Sequence, residues 1–251
     1  MTQLDRHYVD PRLVELYDTE NPRGADTDFY LRLASGLGAR RIVDLGCGTG
    51  TLTCELAVYD RDLVGIDPSP MMLAVARRKP GAERVQWVEG SSRAIGTPAA
   101  DLALMTGNVA QIFLDDVEWS ATLRDIHAGL RPGAYLAFES RNPEAKAWES
   151  WHREATYAQL DSPYGPVQTW LELEDVRGGR VRFVGYNAFT RTKEVVEAPS
   201  ELRFRTLAEL TDCLSEAGFV VEHAYGDWKC GPLLQTSQVI VIVAQARRRC
   251  S

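Results

Sequence analysis

Between residues 26 and 140, short apolar runs alternate with stretches in which apolar residues recur every three or four positions. Asp26-Thr27-Asp28 can cap a helix that carries Phe29, Leu31, Leu33 and Leu37. Arg41 to Leu45 reads as a buried strand stopped by glycines, and Leu52, Leu56 and Ala57 then have helical spacing. Asp62 to Asp67 is a second strand. Pro68, Ser69 and Pro70 open a helix through Met72, Leu73, Ala76 and Arg77, since proline suits a first turn. Arg84 to Val88 and Asp101 to Met105 read as third and fourth strands. A helix from Val117 to Leu130 ends at Arg131-Pro132-Gly133, and Ala134 to Glu139 is the fifth strand. Parallel neighbours need crossover connections, so this rhythm predicts a doubly wound α/β fold with helices on both faces of a parallel sheet.

The pattern breaks after Arg141. Residues 143–155 have helical spacing with Trp148 and Trp151. Val167 to Asp175 and Arg180 to Phe189 alternate in character, and Arg177-Gly178-Gly179 between them is a hairpin signature. Glu201 to Arg205 can add a third strand. A helix at Thr206 to Ala217 and strands at Phe219 to Tyr225 and Gln238 to Ala244 resume the first pattern. The reading is a core of residues 1–141 and 206–251, interrupted by an antiparallel β lobe over residues 142–205.

Among 251 residues, 45% are hydrophobic and 25% charged, which is ordinary globular composition. The net charge of −7 repels phosphate backbones and argues against a nucleic-acid partner. Cys47, Cys54, Cys213, Cys230 and Cys250 have neither zinc-knuckle spacing nor the look of a disulfide framework. The opening residues lack a signal peptide's apolar stretch, and the run Val239 to Ala244 is too short for a bilayer. These features predict a cytoplasmic protein without membrane contact. Arg247-Arg248-Arg249 is read as a solvated end rather than a binding tail. No metal cluster is predicted, because Asp115-Asp116 reads as solvated or helix-capping.

The strongest chemical signal is Val43-Asp44-Leu45-Gly46-Cys47-Gly48-Thr49-Gly50, where the first strand turns into a helix. The spacing is G-x-G-x-G. A dinucleotide fingerprint requires G-x-G-x-x-G and a phosphate loop requires a lysine, and neither is present. Asp67 ends the second strand, where an acid can accept both hydroxyls of a ribose or else cap the next helix.

These residues, with Ser69, Met71-Met72 and Leu130-Arg131-Pro132-Gly133, resemble the class I S-adenosylmethionine-dependent methyltransferase family, small-molecule type. The resemblance implies seven strands, the last antiparallel between the fifth and sixth, and S-adenosyl-L-methionine as cofactor. It implies that Asp44 orients the loop or meets the cofactor's ammonium, while Gly46, Cys47 and Gly48 face its methionine part. Asp67 would bind the ribose, and Met72 or Pro68 would flank the adenine. Ser91 stands where the family expects an acid for the adenine amino group, and the Ser92 N–H would meet a ring nitrogen. Asn108 and Gln111 would shape the pocket, with helix capping as the other reading of Asn108. The stretch from His7 to Asp18 resembles a lid, placed at residues 1–25, with Tyr17 either closing over the cofactor or packing in the core beside Leu13 and Leu16.

Methyl transfer from a sulfonium is an in-line displacement that needs alignment and exclusion of water. Glu139 and Arg141, at the end of the fifth strand, are expected to contact the acceptor, with a buried ion pair or a salt bridge to the lobe as the other reading. His152 is a candidate base, with a partly exposed surface histidine as the other reading, and His127 is read as structural. The expected acceptor is an oxygen or nitrogen of a small molecule. Methylation of protein or RNA, or cofactor binding without catalysis, are the alternatives, and a nicotinamide oxidoreductase is disfavoured by the glycine spacing. The lobe's Trp148, Trp151, Tyr164, Trp170, Tyr186 and Phe189 can line a pocket, build the lobe's core or make a homodimer interface.

Overall fold

The computed structural model describes residues 4–58, 60–96 and 100–247. Arg248, Arg249 and Cys250 lie outside the described residues. Five strands alternate with helices in the first part of the chain: β1 (Arg41–Leu45), β2 (Asp62–Asp67), β3 (Val85–Glu89), β4 (Ala100–Met105) and β5 (Leu130–Arg141). With β10 (Phe219–Tyr225) and β11 (Val239–Ala246) they form one sheet in the order β10-β11-β5-β4-β1-β2-β3. β11 runs antiparallel to both its neighbours, and the other pairs are parallel. This is the seven-stranded, doubly wound arrangement expected.

Ile42 to Leu45 and Leu102 to Met105 are buried without alternation, because helices cover both faces of the sheet. One apolar layer holds Trp119, Leu123 and Ile126 of α6 (Asp116–Gly129) and Leu210 and Leu214 of α8 (Leu207–Glu216). The other holds Phe29, Tyr30 and Ala34 of α2 (Ala25–Gly36) and Leu56 and Ala57 of α3 (Thr51–Ala57). α1 (Pro11–Glu20) precedes these helices, α4 (Pro70–Ala76) follows β2, and a single turn, α5 (Val109–Ile112), follows β4. Thr206 and Glu209 make a reciprocal capping box on α8.

Between β5 and α8 lies a second sheet, β6-β7-β8-β9, built from β6 (Ala158–Leu160), β7 (Val167–Arg177), β8 (Arg180–Phe189) and β9 (Glu194–Arg203). All its pairs are antiparallel, and Gly178-Gly179 forms the β7–β8 turn.

Several expectations need correction. The helix of residues 143–155 is instead two short 3-10 turns followed by α7 (Arg153–Thr156). Trp151 packs edge-on against Phe183, and Trp148 packs edge-on against Phe204. The third lobe strand is far longer than residues 201–205. Gly24, not Asp26, is the N-cap of α2, and β5 runs through Arg131-Pro132-Gly133 rather than starting after it. Among the described residues no helix is long and apolar enough to cross a membrane.

Candidate functional site

The sheet order reverses between β1 and β4, which opens a crevice beyond their carboxyl ends. The loop from β1 to α3 lies there, with Gly46, Gly48 and Gly50 at φ of 73°, 53° and 73°. A Cβ on Gly46 would stand 2.4 Å from Val109 Cγ2, and one on Gly50 would stand 2.5 Å from the Trp87 ring. Close packing therefore requires these two glycines. Gly48 is different, for its Cβ would meet only Tyr17, at 4.0 Å. It faces open space beneath that ring.

The loop is fastened through its backbone. Gly46 and Cys47 N–H donate to Ile66 O at 2.7 and 3.1 Å. Gly48 N–H donates to Asp67 Oδ2 at 2.9 Å, and Ser69 N–H donates to Asp67 Oδ1 at 2.8 Å. Each Asp67 oxygen keeps a further lone pair. Burial holds the Asp67 carboxyl above the usual range, against the pull of those two N–H groups. Asp44 is buried in the core, and Thr53 donates to its Oδ2 at 2.5 Å, while Oδ1 has no partner. Burial pushes the Asp44 carboxyl up to about 6. A buried oxygen of this kind is costly unless a donor or cation meets it.

α1 roofs the crevice. Asp18 accepts from Thr49 Oγ1 at 2.5 Å and Thr51 Oγ1 at 3.2 Å, and pairs with Lys79. This clasp brings Tyr17 over Gly48 and Gly107, and burial raises the Tyr17 phenol to about 12. Ser69 donates its hydroxyl to Tyr8 O, tying the segment before α1 to the end of β2.

A cavity of about 390 Å³ continues from Tyr17 and Asn108 to the second sheet, a size within the range of small-molecule sites. Successive residues of a strand face opposite ways, so Val167, Thr169 and Leu171 share one face with Val181, Phe183, Gly185, Asn187 and Phe189. At one end of this face Val167, Phe189, Val196 and Ala198 pack on Leu13 and Leu16 of α1. At the other, Val181, Phe183 and Leu202 pack on Trp151 and Phe204. The polar middle, Thr169, Gly185 and Asn187, lines the cavity. Arg141 lines it too, donating from Nε to Asn108 Oδ1 at 3.3 Å and stacking 5.5 Å from the Trp151 ring centroid. Glu20 lies in the same wall, its carboxyl pushed up to about 7 by burial.

The structure thus brings Tyr17, Asp44, Gly46, Cys47, Gly48, Asp67, Asn108 and Arg141 to one crevice. Asn108 does not cap α5 with its side chain and holds Arg141 instead. The Cys47 N–H is committed to Ile66, and burial raises its thiol. Met72 is fully buried, Pro68 and Ser91 are exposed, and the Ser92 hydroxyl donates to Asp125 at 2.7 Å. Only the backbone of Ser92 is left for a ligand. Two placements depart from expectation. Glu139 does not line the cavity, because Gly107 N–H donates to its Oε1 at 2.5 Å and Tyr30 donates to Oε2. Burial pushes that carboxyl up to about 7, and the residue fixes the turn after β4. His152 is half exposed, bonded to Glu154 at 3.0 Å and outside the cavity lining, since its segment turns outward instead of forming a helix.

Sequence reasoning did not single out His7, Glu20 and Asn187, which also line the cavity. His7 and Asp18 belonged to the lid-like stretch, which was a signal for both. His127 packs edge-on against Phe219, as a structural role requires. Asp115 caps α6 and Asp116 pairs with Arg205. Among the described residues no group of three or more acidic, His or Cys side chains could hold a metal.

The unpartnered Asp44 oxygen, the open face of Gly48 and the acid at the end of β2 together fit a nucleoside carrying a cationic amino-acid tail. Residues 42–133 match the model of a methyltransferase domain family. The cypemycin N-terminal methyltransferase of Streptomyces sp is 28% identical over 96% of this chain and 98% of its own length. Several other curated methyltransferases match over less than half of their own length. Among solved structures, the CcbJ methyltransferase of Streptomyces caelestis superposes with a TM-score of 0.80 at 18% identity, covering 95% of this chain and 97% of that one. The sugar N-methyltransferase KedS8 of Streptoalloteichus sp ATCC 53650 gives 0.74 at 18% identity, covering 93% and 92%. At such identities the structural likeness concerns the fold.

Proposed function

We propose that the chain is a class I S-adenosylmethionine-dependent methyltransferase, a reading supported by the matched methyltransferase domain and by the full-length cypemycin relative, and that it methylates a nitrogen or oxygen of a small molecule held between the two sheets. The observation that carries this reading is the cavity of about 390 Å³ that opens from Tyr17 and Asn108 onto the polar middle of the second sheet. When bound, the cofactor supplies a sulfonium-borne methyl group. In this reading Asp44 Oδ1 accepts from its ammonium, Asp67 accepts from its ribose hydroxyls, and Tyr17 closes the site. Asn108 steadies the Arg141 guanidinium against the acceptor, and the walls exclude water. Residues 1–25 act as the lid and residues 142–205 as the acceptor-covering lobe.

Support for a nitrogen acceptor comes from the cypemycin enzyme, named for methylating an N-terminus, and from the sugar N-methyltransferase. The net charge of −7 disfavours RNA. Calorimetry with S-adenosylmethionine and S-adenosylhomocysteine, with NAD as control, tests the first half. Micromolar binding of both and none of NAD is expected. Formation of S-adenosylhomocysteine with amine and phenol acceptors tests the second half, and turnover of none of them would overturn it.

A further inference from the structure

We propose that His7 is the base that takes the proton released when the acceptor's nitrogen or oxygen is methylated, and that Asn187 Oδ1 holds the same acceptor by accepting a hydrogen bond from it. This rests on the small-molecule reading above and adds to it the group that activates the nucleophile.

His7 lies in the 3-10 turn Arg6–Tyr8, where the amino-terminal segment crosses the second sheet. Its imidazole sits directly on Gly185, for a Cβ there would stand 2.7 Å from Cε1 and 2.8 Å from Nε2. Only glycine lets the ring approach β8 so closely. Two residues along the same face, Asn187 is buried with its Oδ1 unpartnered. His7, Gly185 and Asn187 all line the cavity, so an acceptor there would meet a proton-accepting ring and an unused carbonyl oxygen.

The titratable and charged groups sharing this cavity are Asp5 and Tyr8 from the same segment, Tyr17 and Glu20 from α1, Arg141 from β5 and Tyr186 from β8. Burial raises the carboxyls of Asp5 and Glu20 and the phenols of Tyr8 and Tyr17, which favours their neutral forms. Burial also lowers the His7 imidazole below its ordinary value, so the ring is unprotonated and free to accept at neutral pH. In the step, a bond forms from the methyl carbon to the acceptor as the carbon–sulfur bond breaks, leaving its electron pair on sulfur. The acceptor's proton passes to the unprotonated ring nitrogen of His7 and leaves to water after product release.

Two measurements test this. In ring-proton NMR of the full chain, with the His7 signal identified by its loss in His7→Gln, His7 should titrate below the ordinary imidazole value of about 6.5. A midpoint at or above that value overturns the proposal, whatever the acceptor. In kinetics with whichever of glucosamine, tyramine or catechol the wild-type chain methylates, His7→Gln should lower kcat about 100-fold. It should leave S-adenosylhomocysteine affinity unchanged and remove the acid limb of the kcat/KM profile. Gly185→Ala, which displaces the ring, should reproduce much of that loss. A fall in kcat of less than about threefold, or a surviving acid limb, overturns the role of His7. Methylation of none of the three by a chain that binds the cofactor counts against the small-molecule reading instead, and the ring titration then decides His7 by itself.

Discussion

The two sheets meet the space between them with different materials. On the seven-stranded side the carboxylates are locked by hydrogen bonds within the fold: Asp67 by Gly48 and Ser69, Glu139 by Gly107 and Tyr30, Asp44 by Thr53. On the four-stranded side the polar groups are side chains standing between two apolar clusters, and Asn187 Oδ1 has no partner there. A surface made from backbone cannot be re-cut by one substitution without harm to the fold. One made from side chains can. Changes on the large sheet should therefore cost stability and cofactor affinity, and changes on the lobe side should cost turnover alone.

Gly46→Ala should break the contrast at its strongest point. A left-handed φ of 73° and a methyl 2.4 Å from Val109 Cγ2 should together cost about 2–5 kcal/mol of stability, read by denaturant unfolding. Next is a pH effect. Glu139 holds its proton up to about 7 in the folded chain, against an ordinary value of 4.5, because burial disfavours its charge. Between these values the unfolded chain has lost a proton that the folded chain keeps, so rising pH favours unfolding, by up to about 1.4 kcal/mol per pH unit. Its contribution is complete below that window and spent above it. Asp44, raised to about 6, acts with the same sign. Thermal unfolding of Glu139→Gln across pH 4 to 8 should show a shallower fall than the wild type.

Asp67→Ala should weaken S-adenosylhomocysteine binding by about 1–3 kcal/mol in calorimetry, since the Gly48 and Ser69 N–H groups lose their acceptor along with the ribose. On the lobe side, Asn187→Ala should lower kcat/KM for the acceptor about tenfold while cofactor affinity holds. Equal losses of both in either variant would erase the distinction between the two sides.

The same contrast explains what could be read from the chain. The glycine loop and Asp67 are local signals, in which spacing alone dictates backbone shape, and strands β1, β2 and β4 fell within a residue of expectation. The edge strand β9 was foreseen only in its last residues because Pro199 argues against a strand, yet an edge tolerates a residue that cannot donate. Trp148 and Trp151 have the spacing of one helix face, but Trp151 finds its aromatic partner in Phe183 of β8 and Trp148 in Phe204 just beyond β9, and that packing overrides the local pattern. His152 had the right chemistry in the wrong place. His7 lies in the crevice only because distant Gly185 leaves room for its ring.

Arg205 closes the seam at the end of the lobe. It is almost wholly buried, donates to Phe113 O and Asp116 Oδ1 at 2.8 Å each, and lies 5.2 Å from the Trp119 ring centroid. The amino-terminal segment, packed on the lobe sheet through Leu13 and Leu16, adds partly exposed ion pairs, Arg12 to Glu194 at 2.7 Å and Arg78 to Glu15. Dissolved salt weakens exposed pairs far more than buried ones. Raising ionic strength should thus weaken the ion pairs of the amino-terminal segment, while the bonds from Arg205 to Ala110 O and Phe113 O, which carry no net charge on the acceptor, hold the end of the lobe in place.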